Sequence, residues 1–465
     1  APEEVGEEKL LVLIPNGELF APGSTDILYG EWTALSRGDN PGQFDEYSYY
    51  KAQGICAKGT AKSMELIGEK KIPAMLWKWK QKIKQVYSKV LPQTEAGVLE
   101  AMFLAEKGGL LPEIKEMYQG AGFSHILAVS GLHMSLLGMG FYKILKKLRV
   151  GSNKAVAAAC VTVLVYSIFA GAGISIVRAA LMLLLSLFSA PLGKTYDAPT
   201  GLSAAALFLL AREPLQLFQA GFLLSFGAVV GILLFSKIFE KMGIKKLGAS
   251  LGVQLVLLPL LFWFYYEVPV YALVLNLLVV PFLSLLLLLA IFIGVFGSFW
   301  LFLGKFFAGG AFVLLKGYEA LCCLNEYLPG KRFCYGKPAL FQMVLYYLLL
   351  LLFYLIGKTI KKEKIFPVAF VFLLLLIGVF LLPRSTGLTV TYLAVGQGDC
   401  AVLQKGSTTA LIDAGSSVKN GAERVLIPYL KYHGDTKIEY VLLSHTDDDH
   451  CSMLLEFLYA LADRR

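Results

Sequence analysis

The sequence has little charge for its length. Asp, Glu, Lys and Arg make up 17% of its 465 residues, whereas 56% of the residues are hydrophobic and the mean hydropathy is +0.63. A soluble domain usually carries about a quarter of charged residues. This composition excludes disorder, a coiled coil, collagen and an ordinary soluble enzyme. It predicts a polytopic membrane protein with soluble pieces attached, and the length allows about three domains.

Several local patterns are also missing. The seven cysteines form neither a CxxC pair nor a zinc-ribbon spacing. Their odd number argues against a disulfide framework, and a single disulfide in an outward-facing domain is the alternative. No P-loop of the form G-x-x-x-x-G-K-[ST] occurs. The chain begins at Ala1 with neither Met nor a signal peptide and ends at Arg465, so we expect a piece cut at both ends.

Residues 1–121 are soluble in character and divide by charge. Residues 1–50 hold 10 acidic and 2 basic residues, and residues 51–90 hold 10 Lys and 2 Glu. An apolar run over 10–14, followed by a Pro-Asn-Gly turn signal, predicts a strand. The basic stretch, residues 75–84, contains Lys78, Lys80, Lys82 and Lys84. It fits a helix lying on the membrane surface, a solvated connector or a DNA-phosphate patch.

Apolar runs of about the length of a membrane-spanning helix begin near residue 122. Ten candidates lie near 122–142, 154–170, 174–192, 199–211, 215–236, 247–266, 270–296, 299–316, 339–356 and 365–383, and residues 317–338 are too polar to span. Lys/Arg clusters at 143–149, 237–246 and 358–364 are each separated by four candidate spans. All three clusters are therefore expected on the cytoplasmic side, which places residues 1–121 and the segment after 384 outside.

The character changes again after Pro383-Arg384. Short runs at 388–395, 401–404, 408–412 and 438–443 predict the strands of a further domain that ends unfinished. The metal loop, residues 444–450, follows the last of these runs and has the sequence Ser-His-Thr-Asp-Asp-Asp-His. Crowded carboxylates are costly unless a cation neutralises them. A pair of divalent ions could activate water and hold a phosphodiester oxygen there, and the alternative is an acidic loop with incidental histidines.

The metal loop resembles that of the metallo-β-lactamase superfamily, whose usual motif is His-x-His-x-Asp-His. Asp447 stands where that motif has its second His, which favours manganese or magnesium alongside zinc. The resemblance implies that His445 and Asp447 ligate one ion, that Asp449 and His450 ligate another, and that Asp449 is catalytic. Asp413 matches the superfamily's strand-end Asp and is included among the metal residues. The later ligands of the superfamily lie beyond the chain end, and Cys451-Ser452 follow the loop where Gly-Gly is common.

The glycine loop, residues 395–400 (Val-Gly-Gln-Gly-Asp-Cys), precedes that domain's strand-end Asp. Together with the apolar helices, it resembles the ComEC family of competence DNA-uptake channels. Further signatures of that family are similar to residues 123–134, 174–182, 221–226 and 276–281, and residues 40–45 resemble the segment that closes the family's OB-like domain. The resemblance covers nearly the whole chain.

The resemblance implies a channel that carries single-stranded DNA across the bacterial cytoplasmic membrane in natural transformation. Double-stranded DNA, a DNA-receptor protein and a cytoplasmic ATPase or helicase are the implied partners, and an outer nuclease-like domain with two divalent ions degrades the other strand. Polar residues inside apolar runs either line a wet DNA path or hydrogen-bond neighbouring helices. The candidate path residues are His125, Ser130, His133, Arg178 and Asn276.

The predicted architecture is a polytopic α-helical membrane protein with about ten spans. It comprises a partial OB-like β-rich segment (1–60), a basic amphipathic connector (61–121), a transmembrane channel domain (122–384) and a truncated α/β metallo-β-lactamase-like domain (385–465). Two other functions stay open: a membrane-anchored metallohydrolase without a transport role, and a small-molecule transporter with a vestigial soluble domain. The second lacks support because no inverted repeat of the membrane segments is visible.

Overall fold

The computed structural model describes residues 9–13, 24–189, 191–245, 247–382 and 387–462, and most of them are helical. The helices are α1 (Glu46–Lys51), α2 (Lys71–Val90), α3 (Gln93–Leu99), α4 (Pro112–Gly120), α5 (Gly131–Met134), α6 (Gly140–Lys147), α7 (Ser152–Phe169), α8 (Ile174–Ser189), α9 (Ala198–Arg212), α10 (Ala220–Lys241), α11 (Gly248–Tyr265), α12 (Ala272–Phe299), α13 (Leu301–Tyr327), α14 (Leu340–Thr359), α15 (Ile365–Leu381), α16 (Ile427–His433) and α17 (Asp448–Ala462). The strands are β1 (Lys9–Leu13), β2 (Ser24–Ala34), β3 (Ile55–Glu69), β4 (Glu267–Pro269), β5 (Arg332–Cys334), β6 (Leu388–Tyr392), β7 (Ala401–Lys405), β8 (Thr408–Ile412) and β9 (Tyr440–Leu442).

Three π-helical segments adjoin α-helices in the described part of the chain. Residues 100–104 continue α3, residues 135–139 connect α5 to α6, and residues 422–426 lead into α16. Short 3₁₀ segments cover Pro214–Phe218 and Lys362–Lys364. All seven cysteines are free thiols.

Seven helices of the described chain are long and apolar enough to cross a membrane. They are Ser152–Phe169, Ala220–Lys241, Gly248–Tyr265, Ala272–Phe299, Leu301–Tyr327, Leu340–Thr359 and Lys362–Leu381, and the shorter apolar helices α8 and α9 lie between the first two. Their outward surfaces carry large exposed hydrophobic side chains such as Phe282, Phe306 and Leu348. Helices that are apolar on every side are typical of a membrane span. The membrane-protein prediction is therefore confirmed, while the count of ten spans stays a prediction.

Two helix boundaries differ from the sequence-based expectation. Residues 123–130 form no helix, and helical structure begins at Gly131 rather than near 122. At the other boundary, α13 continues three turns past residue 316, through polar sequence. Lys316 reaches Glu95 at 2.9 Å and Glu319 at 2.6 Å. The second of these ion pairs provides a partner for Glu319, one of the charged residues after 316.

One compact unit comprises Ala1–Leu35, Tyr50–Phe226 and Tyr271–Lys331. Its core is built where α2 packs against α12 and α13. The hydroxyl of Tyr87 donates to the Ala290 carbonyl at 2.9 Å, and a Cβ on Gly304 would lie 3.0 Å from the Cα of Gly297. Small residues let helix backbones approach this closely. The apolar face of α2, including Ile83 and Val86, is buried there, so the basic stretch is part of a packed helix.

The same unit holds a three-stranded sheet of order β1-β3-β2. The β1 and β3 strands are parallel, and β2 and β3 are antiparallel. The strand expected at 10–14 is confirmed as β1, whereas the turn signal at 15–17 lies outside the described residues. The OB-like assignment stays a prediction.

The second unit comprises Ser36–Tyr49, Gly227–Val270 and Arg332–Arg465. Its last part carries a four-stranded sheet of order β6-β7-β8-β9, in which the first two pairings are antiparallel and β8 and β9 are parallel. All four strands expected after residue 387 are confirmed. Their core includes Val402, Leu411, Leu426 and Met453, all at most 1% exposed. This core fixes α17 against the sheet and thereby places the metal loop.

Candidate functional site

The parallel pairing of β8 and β9 creates the site. Ile412 lies opposite Leu442, and the Asp413 N–H donates to the Leu442 carbonyl at 2.8 Å. The carboxyl ends of parallel strands meet at one edge of a sheet. Asp413 and Ser444 therefore leave the sheet side by side. Asp413 adopts a left-handed backbone conformation, with φ of 53°, which turns the chain sharply at this edge.

Asp413 is buried and organises the metal loop through hydrogen bonds. Its Oδ1 accepts from the Ser444 N–H at 2.7 Å, and its Oδ2 accepts from the Ser444 hydroxyl at 2.8 Å and lies 3.1 Å from His450 Nδ1. The Ser444 N–H lowers the pKa of the Asp413 carboxyl. In return, the hydrogen bond to Asp413 raises the pKa of His450. Asp413 thus contacts a candidate ligand and fixes its ring.

These contacts determine which imidazole nitrogens face the cluster. An ionised carboxylate only accepts hydrogen bonds, so His450 Nδ1 carries a hydrogen and donates the hydrogen bond to Asp413. The Ser444 hydroxyl donates its hydrogen bond to Asp413. It therefore acts as an acceptor toward His445 Nδ1, which lies 2.9 Å away. In this tautomer a neutral imidazole has its lone pair on Nε2. A carboxylate that hydrogen-bonds one ring nitrogen of a histidine and so orients the other nitrogen is typical of metal sites.

The Nε2 atoms face several carboxylates. His450 Nε2 lies 3.6 Å from Asp449 Oδ2 and 3.9 Å from Asp399 Oδ2, and His445 Nε2 lies 3.7 Å from Asp447 Oδ2. Ligand atoms of His445, Asp449 and His450 all lie within 4.8 Å of one another. Imidazole nitrogens and carboxylate oxygens at this spacing fit a divalent cation. The structure brings together three of the expected ligands, with Asp447 beside His445 and Asp413 behind His450.

Arg178 in α8 is buried, and Asn276 in α12 is half-buried. Arg178 is 8% exposed, its guanidinium donates to the Ser225 carbonyl, and its Nε has no partner among the described residues. The Oδ1 of Asn276 is likewise buried without a described partner. Unpartnered polar atoms at such depth are costly. Both side chains therefore have capacity for a further polar contact.

His133 shares this property, and the two remaining path candidates differ. His133 is fully buried, its Nδ1 accepts from the Ser130 N–H at 3.1 Å, and its Nε2 has no partner in the described chain. The short helix α5 that carries His133 contacts both α8 and α12. Ser130 is half-buried and caps that helix, whereas His125 is exposed in the preceding loop. The structure thus places His133 on a helix that contacts both the helix of Arg178 and the helix of Asn276, and it places His125 in the loop before that helix.

A family model described as competence protein matches residues 102–359, more than half of the chain. The chain belongs to the competence protein family. A second model, the metallo-beta-lactamase superfamily, matches residues 393–463. It covers the glycine loop, Asp413 and the metal loop, and it implies divalent metal binding.

Curated relatives agree with this family assignment. ComE operon protein 3 of Bacillus subtilis is 25% identical over 476 residues, which is 96% of this chain and 60% of that protein. Recombination protein 2 of Haemophilus influenzae is 26% identical and covers 90% of this chain and 58% of its own length, and Competence protein ComA of Neisseria gonorrhoeae is 24% identical and covers 76% and 51%. This chain spans about three fifths of the length of the first two. No solved structure matches the chain.

The basic stretch of this competence family member is engaged in contacts within its own unit. Lys80 lies 3.2 Å from Glu106, and Lys84 lies 3.5 Å from Glu100 and 3.4 Å from Glu106. The ammonium of Lys82 lies 5.5 Å from the centre of the Phe299 ring. The fourth member, Lys78, also has an interaction partner. These contacts favour a packed connector, and a role in DNA binding stays a prediction.

Sequence reasoning missed two residues of the metal site. Ser444 is not among the expected ligands, yet its hydroxyl and N–H both donate to Asp413. Asp399 has no expected metal role, yet its carboxylate lies 3.9 Å from His450 Nε2. The available signal was the sequence Gly-Gln-Gly-Asp, because two glycines beside an acidic residue allow close backbone approach.

That close approach yields a prediction for Gly415. A Cβ on Gly415 would lie 1.5 Å from the Asp449 carbonyl oxygen, so the backbone of the metal loop must move in Gly415→Ala. Overpacking of this kind costs about 1–3 kcal/mol. We expect manganese affinity to fall by about tenfold or more, measured by electron paramagnetic resonance titration. Gly108→Ala is the control, because nothing lies within 4 Å of its Cβ position; equal affinity in both variants would contradict the geometry.

The raised pKa of His450 gives a second prediction. Metal binding needs a neutral imidazole, so protons compete with the ion until the pH exceeds the pKa of His450. Manganese affinity is expected to rise with pH through that pKa and then to level off. In Asp413→Asn the hydrogen bond that raises the pKa weakens, so the midpoint shifts to lower pH while affinity falls about 10–100-fold. A titration between pH 5 and about 9 covers the range, and an unchanged midpoint would show that Asp413 does not control His450.

Proposed function

We propose that the protein moves single-stranded DNA across the cytoplasmic membrane during natural transformation, and that its metal-dependent domain degrades the strand that is not imported. The observation that carries the transport part is the group of His133, Arg178 and Asn276. Each has a buried polar atom without a described partner, and the helix of His133 contacts the helices of both Arg178 and Asn276. A polyanion crossing roughly 30 Å of hydrocarbon needs such a polar groove with modest positive potential.

The helices found support the proposed topology of ten spans. Helices α7 to α15 coincide with nine of the ten apolar runs of the sequence, and the helical structure over 131–147 overlaps the first run. Four helices separate each Lys/Arg cluster from the next. Because this number is even, all three Lys/Arg clusters fall on the same side of the membrane, and their positive charge favours the cytoplasmic side. The OB-like segment and the hydrolase domain then lie on the outer side. We retain the proposed domains 1–60, 61–121, 122–384 and 385–465, with double-stranded DNA meeting the outer face.

The hydrolase part rests on the metal loop. His445, Asp449 and His450 would hold one divalent ion, with Asp447 and the later ligands of the full-length protein completing a second site. The bound ions supply Lewis acidity and an activated water for phosphodiester hydrolysis. Asp413 and Ser444 keep both Nε2 lone pairs directed at the cluster. Asp449 takes the catalytic assignment because its carboxylate lies within 4.8 Å of ligand atoms of both histidines and belongs to the first turn of α17, whose N-terminus favours negative charge.

Transport of a polymer also needs energy. The sequence has no P-loop, so we assign the driving force to a cytoplasmic ATPase or helicase and delivery of DNA to a receptor protein. The names Competence protein ComA and Recombination protein 2 belong to relatives of this chain, and they agree with a role in DNA uptake. Manganese is the favoured ion because Asp447 replaces an imidazole by a harder oxygen ligand.

The test follows labelled double-stranded DNA in competent cells from which the gene is deleted. The proposal predicts loss of DNase-resistant cytoplasmic label while surface-bound label persists, and restoration by the wild-type gene. Unchanged cytoplasmic label would contradict transport and would make the membrane-anchored metallohydrolase the better account.

A further inference from the structure

The side chain of Asn40 is joined to a residue far along the chain. Its Nδ2 donates to the Ala394 carbonyl at 2.9 Å, and its Oδ1 accepts from the Ala394 N–H at 2.8 Å. Asn40 is only 7% exposed. This reciprocal pair imitates the two hydrogen bonds that neighbouring strands exchange. The same structural unit contains both residues.

The loop around Asn40 is shaped to hold this amide. The Oε1 of Gln43 accepts from the N–H groups of Asp39 and Asn40 and from Asn40 Nδ2, each at 3.1 Å. With Gln43 and Ala394 as partners, both Nδ2 hydrogens and the Oδ1 of Asn40 are used. The amide therefore has one orientation that satisfies every polar atom.

Gly42 provides a second contact to the same region. Its φ is +83°, and a Cβ there would lie 2.3 Å from the Pro428 carbonyl oxygen and 2.9 Å from the Cβ of Tyr432. Both of these residues belong to α16. Only glycine combines this backbone conformation with this approach. Residues 40–43 (Asn-Pro-Gly-Gln), the NPGQ loop, thus contact the metallo-β-lactamase-like domain (residues 385–465), called the hydrolase domain below, at two places.

Ala394 immediately precedes the glycine loop. The Gln397 N–H donates to the Ser417 hydroxyl at 2.8 Å, and the Asp399 N–H donates to the Asp449 carbonyl at 3.0 Å. The glycine loop therefore runs from the Asn40 contact to the backbone of a candidate metal ligand. Displacement of Ala394 would be transmitted over five residues to Asp399 and Asp449.

We propose that the NPGQ loop is a docking element of the hydrolase domain and that Asn40 is a positioning residue for its metal site. The positioning claim rests on the proposed metal site. Residues 40–45 resemble the segment that closes an OB-like domain, and the docking proposal assigns them a different structural role. The hydrolase fold of this protein is then completed by a segment about 350 residues upstream in the sequence.

The test uses the full-length protein in lipid nanodiscs, with hydrogen–deuterium exchange of residues 393–400 and manganese titration by electron paramagnetic resonance. Asn40→Ala is expected to speed exchange of the Ala394 amide by about tenfold or more, because its acceptor is lost. Asn40→Ala should weaken manganese binding by about three- to tenfold. This effect is smaller than that of losing a side chain that hydrogen-bonds a metal ligand directly. Asn40→Asp keeps the acceptor but sets a carboxylate oxygen against the Ala394 carbonyl and Gln43 Oε1, so exchange of the Ala394 amide should speed in this variant as well. Asn153→Ala, an exposed asparagine, is the control and should change neither quantity.

The outcomes separate the two proposals. Unchanged exchange at Ala394 in Asn40→Ala would overturn docking, and faster exchange with unchanged manganese affinity would overturn positioning. If wild-type protein binds no manganese, the metal-site proposal fails, and docking is decided by exchange alone. If Asn40→Ala loses protection throughout β7 and β8, exchange at Ala394 is measured in Gly42→Ala instead. This variant opposes docking through the contact with Pro428 and leaves the Asn40 amide in place, so unchanged exchange there would overturn docking.

Discussion

Asp449→Ala is expected to reduce manganese-dependent DNA cleavage by the full-length protein by about a thousandfold or more. The carboxylate lies 3.6 Å from His450 Nε2 and belongs to the cluster with His445. Its loss removes a ligand and leaves the remaining donors unable to hold an ion in place. The measurement is release of acid-soluble nucleotides from labelled duplex DNA at saturating manganese.

The matched control for this variant is Asp448→Ala. Asp448 occupies the same first turn of α17, but it is not part of the cluster within the described chain. Both variants remove one negative charge at the same helix end. Cleavage should persist in Asp448→Ala, and full cleavage in Asp449→Ala would place the nuclease elsewhere.

Arg178→Ala is expected to lower DNA import by about a hundredfold or more while the protein stays in the membrane. The guanidinium is buried, donates to the Ser225 carbonyl and keeps its Nε unpartnered. Its removal deletes a cation from the proposed path and leaves the Ser225 carbonyl without that donor. The measurement is DNase-resistant cytoplasmic label per unit of membrane-inserted protein.

Two further variants separate a contact with DNA from a purely structural role. Arg212→Ala removes an exposed arginine at the end of α9 and should leave import normal. Arg178→Lys keeps the charge but not the planar fork of donors, so import should lie between the wild type and Arg178→Ala. Normal import in Arg178→Ala would remove this residue from the path.

The elements predicted best are those with a local signal. The apolar runs and the four strands after residue 387 follow from composition and alternation over a few residues, and the helices and strands appear there. The metal loop was also visible, because two histidines flank three aspartates within six residues. Local sequence determines all of these features.

The features that were missed depend on contacts between distant residues. The extension of α13 to Tyr327 is accompanied by an ion pair between Lys316 and Glu95, which lies far away in the sequence. The position of Asp399 near His450 depends on the packing of the glycine loop against α17. The contact between Asn40 and Ala394 joins segments that no periodicity connects. Such pairings arise from tertiary packing, which single-sequence patterns do not contain.

The central claim is that one protein imports one strand through its helices and degrades the other at a separate metal site. The most direct measurement supplies competent cells with duplex DNA whose two strands carry different isotopes, and follows each strand in wild-type, Arg178→Ala and Asp449→Ala cells. The account predicts that wild-type cells take up one isotope and release the other as nucleotides. Arg178→Ala should abolish uptake, and Asp449→Ala should abolish nucleotide release. Normal uptake together with normal release in both variants would contradict the account.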